Sequence, residues 1–280
     1  MFCFIHIEKT AGITIHHIFK NNSFRYVTLS PWSIWANDLE NVLTVQEARL
    51  FFKLFPYITG FGGHTPRAYL EYEKVIHKSI DYITFLREPV SRFLSQYFYH
   101  KNVMKIDWTI EKFIEAEHFN NFMTKRICGR DDPDAAIQML TDKFRFVGII
   151  EKFDESLLLL KHRMNWTHYR MQYEIKNRTP RKETSEITET VMTRIREVNV
   201  SDQLVYEFVL NELFPEYVKN YGSGLETDVQ AFRETLKNFR FNRYKLWFHG
   251  LLRHLVYRPV ERGLHTYYHR EKKNKQADDQ

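Results

Sequence analysis

The sequence is poor in cysteine, with two in 280 residues, Cys3 in an apolar run and Cys128 in the segment RICGRDD. Neither belongs to a CxxC pair, so no disulfide framework or cysteine-rich zinc site organises the fold, and a reducing compartment is expected. Long apolar runs are missing as well. No stretch reaches the about 18 residues that a membrane-spanning helix needs, and the first residues lack the basic start and small-residue cleavage site of a signal peptide. The expectation is a soluble, cytoplasmic protein; a Golgi lumenal setting applies only if the sequence is cut from a longer, anchored chain. Internal repeats and low-complexity segments are absent too, which excludes solenoids and compositionally disordered chains.

What is present is apolar material enough for one full core, 43% hydrophobic residues against 27% charged. The net charge of +6 is unevenly distributed. Residues 236–280 hold 11 Lys and Arg against 4 Asp and Glu, which leaves 30 against 31 for residues 1–235. A near-neutral body with a basic attachment argues against a nucleic-acid footprint spread over the fold.

Strand-like runs at 2–7, 25–29, 57–61, 82–86 and 144–149 alternate with helical patterns at 13–21, 89–104, 134–141, 151–164, 186–198 and 202–217. This alternation predicts an α/β fold, a mostly parallel sheet flanked by helices. Residues 1–225 are read as the main domain and 226–280 as a basic helical extension. In the extension, Tyr244, Trp247, Phe248, Leu251, Leu252 and Leu255 recur at helical spacing among basic residues. Such a stripe ordinarily packs onto a core, and packing onto the body is the expectation. Peripheral contact with an anionic membrane surface, or with a polyanionic acceptor, is the other reading of a basic amphipathic helix.

Two stretches carry candidate chemistry. In HIEKTAGIT a strand runs into a small-residue turn and a helix, which directs backbone amides at one spot and suits an anion. The amides of Thr10, Ala11, Gly12, Ile13 and Thr14, with the Thr10 and Thr14 hydroxyls, can wrap one phosphate, and Lys9 stands at its edge. The order is not GxxxxGK[ST], so this is not the loop of the nucleoside triphosphatases. In DYITFLREPVSRFLSQYFYH a strand delivers Arg87 to its end, Pro89 suits the first helical turn, and Ser91 and Ser95 lie one turn apart on one face. Arg87 and Ser95 can converge on a second anion. Two anion cradles at the ends of two parallel strands suggest a ligand with two phosphate groups.

HIEKTAGIT resembles the 5′-phosphosulfate-binding loop, and FLREPVSRFLSQY the 3′-phosphate-binding segment, of the carbohydrate sulfotransferase family. RFVGIIEKFDESLLLL and VNVSDQLVYEF also resemble stretches of these enzymes. The resemblance implies a P-loop-like α/β fold, 3′-phosphoadenosine 5′-phosphosulfate (PAPS) as donor, and transfer of its sulfuryl group to a hydroxyl of a carbohydrate or glycolipid acceptor, with no metal required. Three positions depart from the family pattern: Glu8 stands where many members have proline, Ala11 where many have glycine, and Ile13 where a hydroxyl residue is frequent. Such a reaction needs a base, and His64 in TGFGGHTPRAYL, past a strand on a glycine-rich turn, resembles the family's base histidine. Lys9 would neutralise the leaving oxygen. His6, His16, His17 and His100 are read as bystanders, His100 being the first competitor. In KNRTPRKE, which resembles the segment closing over the cofactor, Arg178 is the candidate phosphate contact, with Arg181 and Lys182 as alternatives. Asp131 and Asp132 read as a turn feeding a helix rather than as magnesium ligands. Trp32 and Trp35 offer sugar-stacking surfaces. The competing functions are a nucleotide-dependent kinase and a non-catalytic polyanion- or membrane-binding protein on the same scaffold.

Overall fold

The computed structural model describes residues 1–29, 41–175 and 187–278, with side chains described through residue 268. Five strands form one sheet: β1 (Phe2–Ile5), β2 (Tyr26–Leu29), β3 (Gly60–Gly63), β4 (Asp81–Leu86) and β5 (Phe144–Ile149), in the order β2-β3-β1-β4-β5. Every pairing is parallel. Helices cover both faces, so the strands read as continuous apolar runs instead of alternating ones, and all four residues of β1 are buried. The expected α/β class is the one observed.

The third strand lies three residues later than the apolar pattern predicts. The sequence pattern favours Tyr57–Phe61, yet Tyr57 is exposed and the strand is the glycine-rich Gly60–Gly63. Neighbouring rings dictate this: Phe2 lies over Gly60, and Tyr26 reaches across Gly62, where a Cβ would stand 2.6 Å from its hydroxyl. The glycines that were expected to form a turn are therefore the strand itself. His64 follows directly at its carboxyl end.

The expected helix at 202–217 forms as Val200–Phe208 and Phe214–Tyr221, joined by a π-helical turn at Val209–Leu213. Helices Val45–Leu54, Ile110–Glu115 and Phe122–Cys128 were not legible as periodic runs. The last depends on a partner for its start. Its N-cap residue, Asn121, offers no side-chain cap, and the carboxylate of Asp202 accepts from the amides of Met123 at 3.1 Å and Thr124 at 2.8 Å instead. Asp132 caps the helix Pro133–Asp142 by accepting from Ala135 N at 2.9 Å, as its reading as a helix-feeding turn requires.

Beyond residue 225 the helices pack against the body. Leu225–Leu236 lies on Phe153–Arg163, Arg243–Leu252 on Gly12–Asn22, and Arg258–Asp278 on Val45–Leu54. Contact runs through Leu246, His249, Leu252, Val256 and Tyr257, with His249 Nε2 donating to the Lys20 carbonyl at 3.0 Å. The stripe expected to pack inward is thus divided: Leu252 does so, whereas Tyr244, Trp247, Phe248, Leu251 and Leu255 point outward. Among the described residues no helix is long and apolar enough to cross a membrane.

Gly63 has φ +153, and a Cβ there would stand 1.8 Å from the backbone oxygen of Leu29. Gly63→Ala is therefore expected to cost more than about 3 kcal/mol. Gly250→Ala, in open space on a helix, should be neutral or stabilising by up to about 1 kcal/mol. Urea denaturation of both variants checks this.

Candidate active site

The carboxyl ends of β1, β3 and β4 meet on one side of the sheet, and each ends in a residue singled out above. After β1 the chain makes two left-handed residues, Lys9 at φ 69 and Ala11 at φ 58, and enters the helix Gly12–Asn22. Ala11 is the N-cap residue and provides no side-chain cap. Among the described residues the first-turn amides accordingly have neither an intrahelical acceptor nor a capping side chain, and they open toward the turn. The Thr10 hydroxyl donates to the Ile7 carbonyl at 2.8 Å, so its proton fixes the turn, and what Thr10 offers a ligand is its amide. The Ile13 side chain is exposed and Thr14 is half-buried. Gly12 has no room for a side chain, because a Cβ would stand 1.8 Å from Nε2 of His6.

The turn after β4 is built differently. Glu88 caps the helix Pro89–Asn102, accepting from Val90 N at 3.0 Å and Ser91 N at 2.7 Å. That helix end is already satisfied by a carboxylate, and an anion there must rely on side chains. Arg87 supplies one, and its Nη1 also donates to the Lys9 carbonyl at 3.3 Å, which ties the two turns together. Ser95 is half-buried on the same helix, one turn before Tyr99. The Tyr99 ring carries the Lys9 ammonium 4.2 Å from its centroid, so this helix face is turned to the first cradle. Burial, and then the nearby Arg87, lower the Lys9 pKa to about 8.

His64 is joined to the same place through Glu8. Its Nδ1 lies 2.7 Å from Glu8 Oε1, within contact of the carboxylate but off the line of a well-aligned hydrogen bond. Arg126, fully buried, closes on the same oxygen of Glu8. Burial alone would push the Glu8 carboxyl up, but Arg126 and His64 outweigh it and hold Glu8 well below the carboxylate range. The main chain of His64 is fixed too: its carbonyl accepts from Arg126 Nη1 at 2.7 Å and Arg67 Nη1 at 2.6 Å. With Nδ1 turned to Glu8, Nε2 is the nitrogen left to take a proton.

Beneath His64 lies a buried run of rings. His6 packs on it with centroids 4.0 Å apart; His6 Nδ1 meets His16 Nε2 at 3.2 Å, and His16 Nδ1 meets the Tyr26 hydroxyl at 2.7 Å. Burial first, and neighbouring cations second, keep His6 and His16 well below the usual histidine range. His6 and His16 are therefore neutral rings beneath His64. His100, the competitor for the base, is engaged at Nε2 by the Gln96 amide at 3.0 Å and is lowered to about 4 by burial, His118 and Lys9.

Lys9, Arg87 and His64 are therefore brought to one end of the sheet, together with the open helix turn of residues 10–14. Ser95 lies on the helix face directed there. Arg178, Arg181, Lys182, Trp32 and Trp35 lie outside the described residues. Sequence reasoning missed Glu8, Arg126, Arg67 and Tyr99, and set aside His6 and His16. Glu8 did leave a signal, as a carboxylate where proline is frequent; Arg126 and Arg67 left none.

A family model described as Galactose-3-O-sulfotransferase matches residues 61–244. No curated protein matches the chain. The matched span is well over half of the sequence and holds the β3 and β4 ends with His64, Arg87, Ser95 and Arg126. The chain belongs to the galactose-3-O-sulfotransferase family, whose members transfer sulfuryl groups to carbohydrate.

Proposed function

We propose that this protein uses PAPS to sulfate a hydroxyl of a galactose-type sugar, free or lipid-borne, with His64 as the base. The observation that supports it best is the adjacency of two parts: a helix N-terminus left without a cap, and a histidine backed by an ionised carboxylate, linked through His6. The residues fit the donor. The uncapped turn at Thr10–Thr14 and the Lys9 ammonium suit its 5′-phosphate, and Arg87 with Ser95 suits its 3′-phosphate.

When bound, the nucleotide supplies an activated sulfuryl group. Lys9 provides positive charge for the phosphate oxygen that departs. His64 Nε2 accepts the proton of the sugar hydroxyl, and Glu8 offsets the charge that the ring acquires. Arg126 keeps Glu8 ionised throughout the working pH range, so its negative charge stays behind the His64 ring. On the alkaline side, Lys9 loses its proton near pH 8 in the free protein, and nucleotide affinity falls as pH rises through that value.

Adenosine 3′,5′-bisphosphate should raise the melting temperature, by the equivalent of about 2.7 kcal/mol at a hundredfold excess over Kd. No shift at millimolar nucleotide refutes the donor assignment. The shift should shrink between pH 7 and 9 in the native protein and stay small and flat in Lys9→Met.

His64→Ala should lower kcat by roughly 10²- to 10⁴-fold while leaving the melting temperature within a few degrees. Glu8→Gln should lose turnover and stay folded; Glu8→Ala should also lose about 3–5 kcal/mol of stability, because Arg126 is then buried without its counter-charge. Steady-state kinetics with labelled donor, run beside denaturant melts, separate these outcomes.

A further inference from the structure

Among the described residues, the outward face of the helix Arg243–Leu252 and the π-helical turn after it is covered by no other element. Tyr244 is 85% exposed, Trp247 65% and Leu255 69%, with Phe248 and Leu251 also exposed. These five follow the i, i+3, i+4, i+7, i+11 pattern of one stripe, while Leu246, His249, Leu252, Val256 and Tyr257 make the opposite stripe that holds the helix to the body. Phe24, from the loop before β2, extends the apolar surface; it is half-exposed, and its ring lies 5.6 Å from that of Phe248. A contiguous apolar surface of this kind on a folded protein marks an interaction site.

The charge around it selects the occupant. Residues 235–260 contain no Asp or Glu and six basic residues, Lys237, Arg240, Arg243, Lys245, Arg253 and Arg258. Arg240 and Arg243 are exposed at the N-terminal end of the stripe, and His254 is exposed beside Leu255. Arg243 pairs with Glu174, Lys237 with Glu234, and Arg253 faces Glu261, which leaves the rim in basic excess; that excess disfavours a second copy of the same face, which would bring two positive surfaces together. Nucleic acid would use the basic residues but leave five large apolar side chains in water. A bilayer with anionic headgroups satisfies both: aromatic and aliphatic side chains enter the interface, and the arginines and lysines stay among the headgroups.

We propose that this face docks the protein peripherally on an anionic lipid surface, with Trp247, Phe248 and Leu251 at the centre of the inserted stripe. The site is separate from the sulfuryl-transfer reading and stands without it. It gives the chain a second binding activity, one that holds the body beside lipid-borne molecules.

Vesicle co-sedimentation of the full chain tests this, with phosphatidylcholine alone and with one-third phosphatidylserine. Binding is expected to the mixed vesicles, to weaken with salt, and to be at least about tenfold weaker on phosphatidylcholine alone. The triple variant Trp247→Ser, Phe248→Ser, Leu251→Ser should keep the melting temperature and lose at least about tenfold in binding. Arg240→Gln with Arg243→Gln should lose binding at low salt and little at high salt. Absence of vesicle binding, or undiminished binding by the triple variant, overturns the proposal. So does a dimer in light scattering that the triple variant abolishes, since the face would then serve self-association. Nucleotide-induced melting shifts in the triple variant should match the native protein, so failure of the donor assignment and failure of this one are read separately.

Discussion

The buried contact between Glu8 and Arg126 is the interaction on which the rest of this end of the molecule depends. A carboxylate this far from water is tolerable only beside an opposite charge, and Arg126 is itself without solvent. The pair joins the end of β1 to the helix Phe122–Cys128, and both of its members reach residue 64, Glu8 at the ring and Arg126 at the carbonyl. Asp202 holds the start of that helix, and Arg92 stands 3.9 Å from Asp202, again wholly buried. Position is thus passed inward from one ion pair to the next, and the ring that ends the series has its edge in the open.

The two strand-to-helix turns show how a small difference in capping divides the labour between them. Glu88 satisfies its helix from within the chain, while Ala11, with only a methyl group, leaves its helix unsatisfied. An alanine at such a position is a poor cap by intrinsic preference. It makes sense where the missing acceptor is brought by something else. Lys9 carries a related cost, for its ammonium is half-withdrawn from water and sits beside another cation. Local stability is given up at both places, which is common where a surface must receive a negatively charged group.

Much of the scaffold could be read from the sequence, because parallel strands buried on both faces leave continuous apolar runs and the helices between them leave capped amphipathic ones. Four of the five strands, the turn at Lys9 and the Arg87 helix follow from such local signals. The displaced third strand does not, since a glycine run carries no side-chain pattern and its place is set by rings on other strands. His64 was legible by its place after that strand. Its support was not: Glu8, Arg67 and Arg126 come from three segments, and only tertiary packing makes them neighbours. The outward stripe of the Arg243–Leu252 helix was seen as a stripe, but periodicity alone cannot tell which of two apolar faces a helix buries.

Several glycines of this protein are filled by someone else's ring. Tyr26 crosses Gly62 on its way to His16, and His6 occupies the space that a side chain at Gly12 would need. Each such pair is a single steric object shared between distant segments. A lineage that acquires a methyl group at position 60 must give up the ring at position 2 in the same step or soon after, and with it that ring's contacts with Phe19 and Tyr26. The glycines and the rings are therefore inherited as couples, and in an alignment of close kin the two columns should change together or not at all.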